Sequence, residues 1–273
     1  MKEIFTYQEH VRDDAFSERS PGFMRRYGTV GFFRDKDDST CPFCNCPAEQ
    51  VHYERVVDYP DWLDGGEYTL VKYVWSCSQC GWWRSRTNKK TDGTIDAVSA
   101  IVRSAVLKKY DLSSKDLPLT VLQQHLREKY EDVIHIHDKK MEKLVQSVFT
   151  EHFNCEVEHI GKSHDGGVDL LLIQADSPTV IQVKRRRSLP HVESVSGVRE
   201  LIGATLLKES KNCIFVSTSS KFSEPSKEAA QRAVELGIVE SYELYDFQRF
   251  SNALKLVTPA AKNPWKGIIN EDT

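Results

Sequence analysis

The chain has 273 residues, with 37 Lys and Arg against 40 Asp and Glu, a net charge of −3. That balance excludes a histone-like or purely electrostatic nucleic-acid binder but leaves room for a local basic patch. At 40% hydrophobic and 28% charged residues the composition is that of a folded protein of one large or two smaller domains, and no run approaches the ~18 apolar residues of a membrane span.

The start, from Met1 to Asp14, is too acidic and too short in apolar residues for a signal peptide. Seven cysteines, an odd number, without an export signal point to a reducing cytoplasm. There, Cys pairs mean metal or chemistry more often than disulfides. Five of the seven lie between Cys41 and Cys80. Cys41-Pro-Phe-Cys44 and Cys77-Ser-Gln-Cys80 have the spacing of two metal knuckles, each offering two thiolates to one tetrahedral ion. Gly81 suits the tight turn that closes the second knuckle. Two strand-like runs between the pairs, Val51–Tyr59 and Tyr68–Trp75, make the hairpin of a zinc ribbon. Four thiolates leave no open position, so Zn²⁺ bound by Cys41, Cys44, Cys77 and Cys80 is structural. Cys46 is ambiguous: it could replace Cys44 as a ligand, and it reads first as a spare buried or supporting thiol. Trp82-Trp83-Arg84-Ser-Arg86 follows directly. Its plain reading is a ribbon strand with one Trp packed on the next segment; its sharper one is a base-stacking, phosphate-holding strip.

A polar break at Thr87–Gly93 marks a boundary. From Thr94, the apolar positions Ile95, Val98, Ile101, Val102, Ala105 and Val106 recur at helical spacing. Pro118 interrupts, and a second helix covers Leu119–Tyr130. Asp138 then caps a helix to about Phe153. Strands follow at Cys155–Ile160, Val168–Gln174 and Val180–Lys184, a helix at Glu193–Glu209 and a strand at Cys213–Ser217. A helix opened by Ser223-Glu-Pro225 closes at Gly237, before a strand at Ile238–Tyr242 and a helix near Asp246–Leu254. The order predicts a ribbon module over 1–93, a helical connector over 94–132, an α/β domain with a mixed sheet over 133–258 and a loose tail over 259–273.

The chemistry concentrates in the third segment. If the runs around Ala175–Pro178 pair as a hairpin with Gln174 opposite Thr179, Asp169 faces Lys184 and Gln182 lies two residues along the same face. Both faces of this hairpin are otherwise apolar, so an Asp and a Lys at its end are costly unless they serve a purpose. On the preceding helix, Glu142 sits at the edge of the stripe formed by Met141, Leu144, Val145, Val148, Phe149 and Phe153. Converging carboxylates hold Mg²⁺, which activates water and stabilises charge on a phosphodiester, and a lysine orients that water. His164 and Asp165 read as loop and turn residues, and His135 and His137 as structural. Lys184-Arg-Arg-Arg187 opens a stretch to Phe222 with eight basic and three acidic residues, which suits phosphate contact.

Met-Glu142-Lys-Leu-Val, Asp165-Gly-Gly-Val-Asp169, Gln182-Val-Lys184, Val198-Arg-Glu-Leu-Ile-Gly-Ala204 and Phe215-Val-Ser-Thr resemble the Mrr-type branch of the restriction-endonuclease-like superfamily over about residues 138–250. The resemblance implies an α/β (α+β) fold, a mixed sheet flanked by helices behind the ribbon and connector. It implies a Mg²⁺-dependent DNA endonuclease in which Asp169 holds the metal and Lys184 is catalytic. Gln182 replaces the commoner acid, and Glu142 completes the metal site. Arg185, Arg186, Arg187 and Arg199 are then candidates for DNA contact. Further implications are defence against foreign or phage DNA and, for cutting both strands, a homodimer or higher oligomer. Two other readings stay open: a nuclease effector switched on by a signal or partner, and a non-catalytic zinc-ribbon nucleic-acid-binding protein.

Overall fold

The computed structural model describes residues 2–20, 23–28, 38–93, 96–160, 167–173, 177–257 and 263–271. It divides into two compact units, Phe5–Lys109 with Ala261–Thr273, and Met1–Ile4 with Tyr110–Ala260. The strands begin with β1 (Glu3–Thr6), β2 (His10–Ser20), β3 (Phe23–Gly28), β4 (Glu49–Asp58), β5 (Glu67–Ser76), β6 (Trp83–Asp92), β7 (Asp96–Ala105) and β8 (Lys108–Asp111). Six of them form an antiparallel sheet in the order β3-β2-β7-β6-β5-β4.

The hairpin between the cysteine pairs forms as expected, with Tyr53 opposite Tyr73. The expected helix after residue 94 does not: Asp96–Ala105 is a strand paired on both sides, with β6 and β2. Val98, Ile101 and Val102 are β-branched and suit a pleated surface better than a helix. The apolar spacing misled because the last four residues of β7 are buried on both faces, which erases alternation. All of the expected boundary at Thr87–Gly93 but Gly93 lies within β6, and Thr87 is a buried strand residue.

The expected loose tail is also corrected. Helix α6 (Trp265–Ile268) buries Trp265, and with Ile269 it joins Val74, Trp82, Trp83 and Ala105 in the core around the cysteines. A large aromatic in the last residues finds apolar cover in the first unit, and burial overrides the polar flanks.

The other unit runs α1 (Leu119–Glu128), α2 (Asp138–Phe153), β9 (Glu156–His159), β10 (Leu170–Ile173), β11 (Thr179–Lys184), β12 (Val192–Glu193), α3 (Val195–Leu207), β13 (Asn212–Ser217), β14 (Lys221–Phe222), α4 (Glu224–Glu235), β15 (Ser241–Tyr245) and α5 (Phe247–Leu256). A 3₁₀ segment, Tyr130–His135, links α1 to α2. The cap of α2 is His137, whose Nδ1 accepts the Lys139 amide, and not Asp138, which begins the helix. Ser223 and Asp246 cap α4 and α5 through their side chains.

The sheet order is β15-β13-β11-β10-β9. Its β9-β10-β11 half is antiparallel and its β11-β13-β15 half parallel. Leu170, Leu172, Ile181, Val183, Ile214 and Val216 pack one face against α2 and α5, through Met141, Leu144, Val148, Phe149, Phe250 and Leu254. Val180, Cys213 and Phe215 pack the other face against α3 and α4, through Val198, Leu201, Ala230 and Ala233. Each such fully buried Leu, Val or Phe is worth roughly 1.5–3 kcal/mol. This mixed sheet covered on both faces is the expected architecture, and β11 is its central strand.

Candidate active site

The register of β10 and β11 places the site. Leu170 lies opposite Ile181 and Leu172 opposite Thr179. The expected register put Gln174 opposite Thr179, so the ladder is offset by two residues, because the connection is longer than a four-residue turn. Asp169 therefore does not face Lys184 across the ladder. The regular pairing stops at Leu170, and the Asp169 amide turns to the Ile181 carbonyl at 3.0 Å. The Asp169 carboxylate then takes over as partner of the next strand amide: its Oδ2 accepts the Val183 N–H at 2.7 Å. Asp169 is thus held at the main chain between Gln182 and Lys184.

Gln182 is fully buried, and its Oε1 meets no hydrogen-bond donor among the described residues. An unmet buried carbonyl oxygen costs about 1–3 kcal/mol and calls for a partner. Gly167, at φ +87°, lies so close that a Cβ there would stand 2.7 Å from Gln182 Nε2. That explains the second glycine of the Asp-Gly-Gly-Val-Asp motif: both the left-handed backbone and the close approach exclude a side chain. His164 and Asp165 lie outside the described residues.

Glu142 is buried on α2, as its position at the edge of the apolar stripe predicted. Its Oε2 accepts from His159 Nε2 at 2.5 Å and from Lys139 Nζ at 3.2 Å. His159, on the edge strand β9, went unnoticed in the sequence. A single His on a short strand carries no signal there, and only the fold brings it to Glu142. Glu142 and Lys184 line one cavity of about 300 Å³ with Asp138, Val183, Arg185 and Arg187. Among the described residues, no ion pair engages Lys184.

The four arginines differ. Arg185 is used inside the protein, paired with Asp138 and donating to the Ile134 carbonyl at 2.9 Å. Arg186 is clamped to the buried Glu193 through both Nε, at 2.9 Å, and Nη2. Arg187 is exposed at the cavity mouth and Arg199 is exposed on α3, both without an ion pair among the described residues. Two of the four candidates for DNA contact are therefore engaged inside the protein: Arg186 by the buried Glu193, and the largely buried Arg185 by the exposed Asp138 and the Ile134 carbonyl.

Glu193 is the second residue the sequence did not reveal. Burial raises its carboxyl, but hydrogen bonds from Arg186, Ser217 and Ser219 and the charge of Arg186 outweigh that and hold it below the ordinary carboxylate range.

In the other unit the Sγ atoms of Cys41, Cys44, Cys77 and Cys80 all lie within 4.8 Å of one another. Cys41 and Cys80 are 3.6 Å apart, Cys44 and Cys77 3.5 Å, and Cys44 and Cys80 3.8 Å. Sulfurs at ~2.3 Å from a tetrahedral Zn²⁺ are about 3.8 Å apart, so the cluster fits that ion. The two knuckles repeat one geometry. Asn45 (φ 57°) and Gly81 (φ 81°) take the left-handed turn after each second cysteine, and their amides return to the carbonyls of Cys41 and Cys77. Burial pushes the Cys41 thiol up to about 12, while the Cys46 main-chain amide draws Cys44 down to about 6. Cys46 stays outside the four, its thiol on the Cys44 carbonyl at 3.6 Å.

Trp82 and Trp83 are both buried, and Arg84 lies over the Trp82 ring while pairing with Asp38 at 3.0 Å. The idea that this strip stacks on bases is overturned: the rings are core, and the nearest guanidinium is neutralised.

Residues 135–251 match the restriction endonuclease family model Mrr_cat. The matched segment holds Glu142, Asp169, Gln182, Lys184 and Glu193 and leaves the cysteine cluster outside. Two solved structures are similar. One, the restriction endonuclease FokI bound to DNA, is 13% identical and aligns over 52% of this chain and 29% of that chain, at a TM-score of 0.34. The other, FokI, is 13% identical over 57% and 35% at a TM-score of 0.35. The chain spans about a third of those proteins, and likeness this distant carries no argument about what this chain acts on. No curated protein matches the chain.

Proposed function

We propose that the protein is a metal-dependent DNA endonuclease. The observation that supports this is the Asp169 carboxylate on the Val183 amide, between Gln182 and Lys184 of β11, beside a cavity that Lys184 lines together with Glu142. The donors fit Mg²⁺, a hard cation that takes oxygen ligands: two carboxylates and the buried Gln182 Oε1, which has no hydrogen-bond partner among the described residues. Asp169 and Gln182 would hold the ion, with Glu142 through the carboxylate that His159 and Lys139 orient. When bound, it supplies an acidified water and neutralises charge on the phosphate.

The chain's own residues do the rest. The Val183 amide fixes the Asp169 carboxylate, so it needs no reorganisation on binding. The Lys184 ammonium, in no ion pair among the described residues, orients the attacking water and meets the negative charge that grows on the phosphate. Arg187 at the mouth contacts the DNA backbone, and Arg199 extends that contact. Cys41, Cys44, Cys77 and Cys80 hold a structural Zn²⁺. All seven cysteines are unbridged, which suits the cytoplasm. Defence against foreign DNA is the role this chemistry serves, and cutting both strands calls for a second copy of the chain.

The test is cleavage of plasmid DNA with Mg²⁺. Wild type nicks or linearises the plasmid. Asp169→Ala and Lys184→Ala lose cleavage by about 10³-fold or more, keep their melting temperature within a few degrees and still bind DNA. Normal cutting by either variant would falsify the site.

A further inference from the structure

We propose that Glu193 is a positioning residue for Lys184, acting through Arg186; this rests on the reading of Lys184 as the catalytic lysine. Glu193 is 1% exposed and lies on no strand of the main sheet. A buried carboxylate persists only where its charge and lone pairs are met. Here the carboxylate is met by donors from two segments, the end of β11 and the end of β13. Arg186 donates through both Nε and Nη2, Ser217 Oγ at 2.8 Å and Ser219 Oγ at 3.1 Å. The Glu193 carbonyl takes the Ser223 amide and the Ser226 hydroxyl, each at 3.0 Å. One residue thus ties the end of β11, the end of β13 and the start of α4.

Lys184 is directly opposite Ser217 in the parallel pair of β11 and β13. Its carbonyl accepts the Thr218 amide at 3.1 Å, and the Arg186 amide donates to Thr218 Oγ1 at 2.7 Å. The main chain on either side of Arg185 is therefore pinned to the loop that Glu193 holds. Arg186 engages both oxygens of Glu193, so the strand end that follows Lys184 is held through a side chain as well as through its main chain.

The experiment uses the full chain and compares wild type, Glu193→Gln, Arg186→Met and the double variant. For Glu193→Gln, kcat on plasmid falls about 10- to 100-fold at saturating DNA while KM stays within about twofold. Hydrogen exchange of the Lys184–Arg187 amides rises about tenfold, with the α2 amides unchanged. Arg186→Met lowers kcat and raises the same exchange to a similar extent, and the double variant adds little to either single change.

Wild-type kcat and exchange in Glu193→Gln would overturn the proposal. So would a uniform loss of kcat, KM and protection across the domain, which would mark a merely structural residue. If wild type cuts no DNA, the nuclease reading fails, while the exchange measurement still decides whether Glu193 holds the Lys184 segment.

Discussion

Gly167 holds a left-handed backbone at φ +87° against the amide of Gln182, and the loop motif around it makes sense only through that contact. Gly167→Ala meets two penalties: the left-handed conformation costs about 1–2 kcal/mol, and a Cβ that forces the buried Gln182 aside about 1–3 kcal/mol more. The expected result is a melting temperature lowered by several degrees and reduced cleavage, with bound zinc unchanged. An unaltered melting temperature would show that Gln182 moves freely and is not held for a ligand. At this scale Asp169, Gln182 and Lys184 were legible because their types and spacing are unusual in an apolar hairpin. Glu142 was legible because a carboxylate beside an apolar stripe is out of place. His159 and Glu193 were not legible. Each is an ordinary residue in its own segment and gains meaning from a partner 17 residues away, in Glu142, or up to 26 residues away, in Ser219. The base-stacking reading of Trp82 and Trp83 failed because adjacent aromatics and arginines look alike whether they face solvent or core.

Among the elements, the two knuckles and the β4–β5 hairpin followed from spacing, since a Cys-x-x-Cys turn has few conformations that place both sulfurs on one ion. Four thiols this close repel as thiolates and stay together only around a cation. Elemental analysis is expected to find one zinc per chain in wild type and Cys46→Ser, and none in Cys41→Ser or Cys77→Ser. Chelation should melt the Phe5–Lys109 unit and leave the helical signal of the other unit in place. Zinc retained in Cys41→Ser would mean that Cys46 takes over as ligand. The β7 segment shows where periodicity misleads: its apolar residues fit a helix on paper, but both neighbouring strands supply hydrogen bonds along nearly its whole length. The β10–β11 offset has the same origin. A hairpin's register follows from the length of its connection and the packing of both faces, and the turn signal at Ala175–Pro178 underestimated that length.

For the whole molecule, the chain begins in the unit of the nuclease-like fold, builds the ribbon unit, returns, and ends in the ribbon unit again. Lys2 pairs with the buried Asp132, which His125 also holds at 2.7 Å, so the N-terminus is part of the α/β unit. Trp265 is part of the core around the cysteines. Trp265→Ala should therefore destabilise the ribbon unit by about 3–5 kcal/mol, although some 160 residues separate it from the nearest strand of that core. Calorimetry would show one transition lowered and the other unmoved. A single transition shifting as a whole would mean that the two units unfold together.

By itself the sequence determined the chemistry: four thiols spaced for one ion, an acid and a lysine at the end of an apolar hairpin, and basic residues beside them. These depend on residue type and short-range spacing, which folding does not alter. Only the tertiary structure decided which charges remain available. Arg185 and Arg186 are drawn into ion pairs with Asp138 and Glu193, Lys184 has none among the described residues, and Asp169 rests on the Val183 amide. For Glu193 the choice follows from burial, since a carboxylate removed from water takes the strongest donor within reach. Which donor is within reach is set by strand register and loop packing.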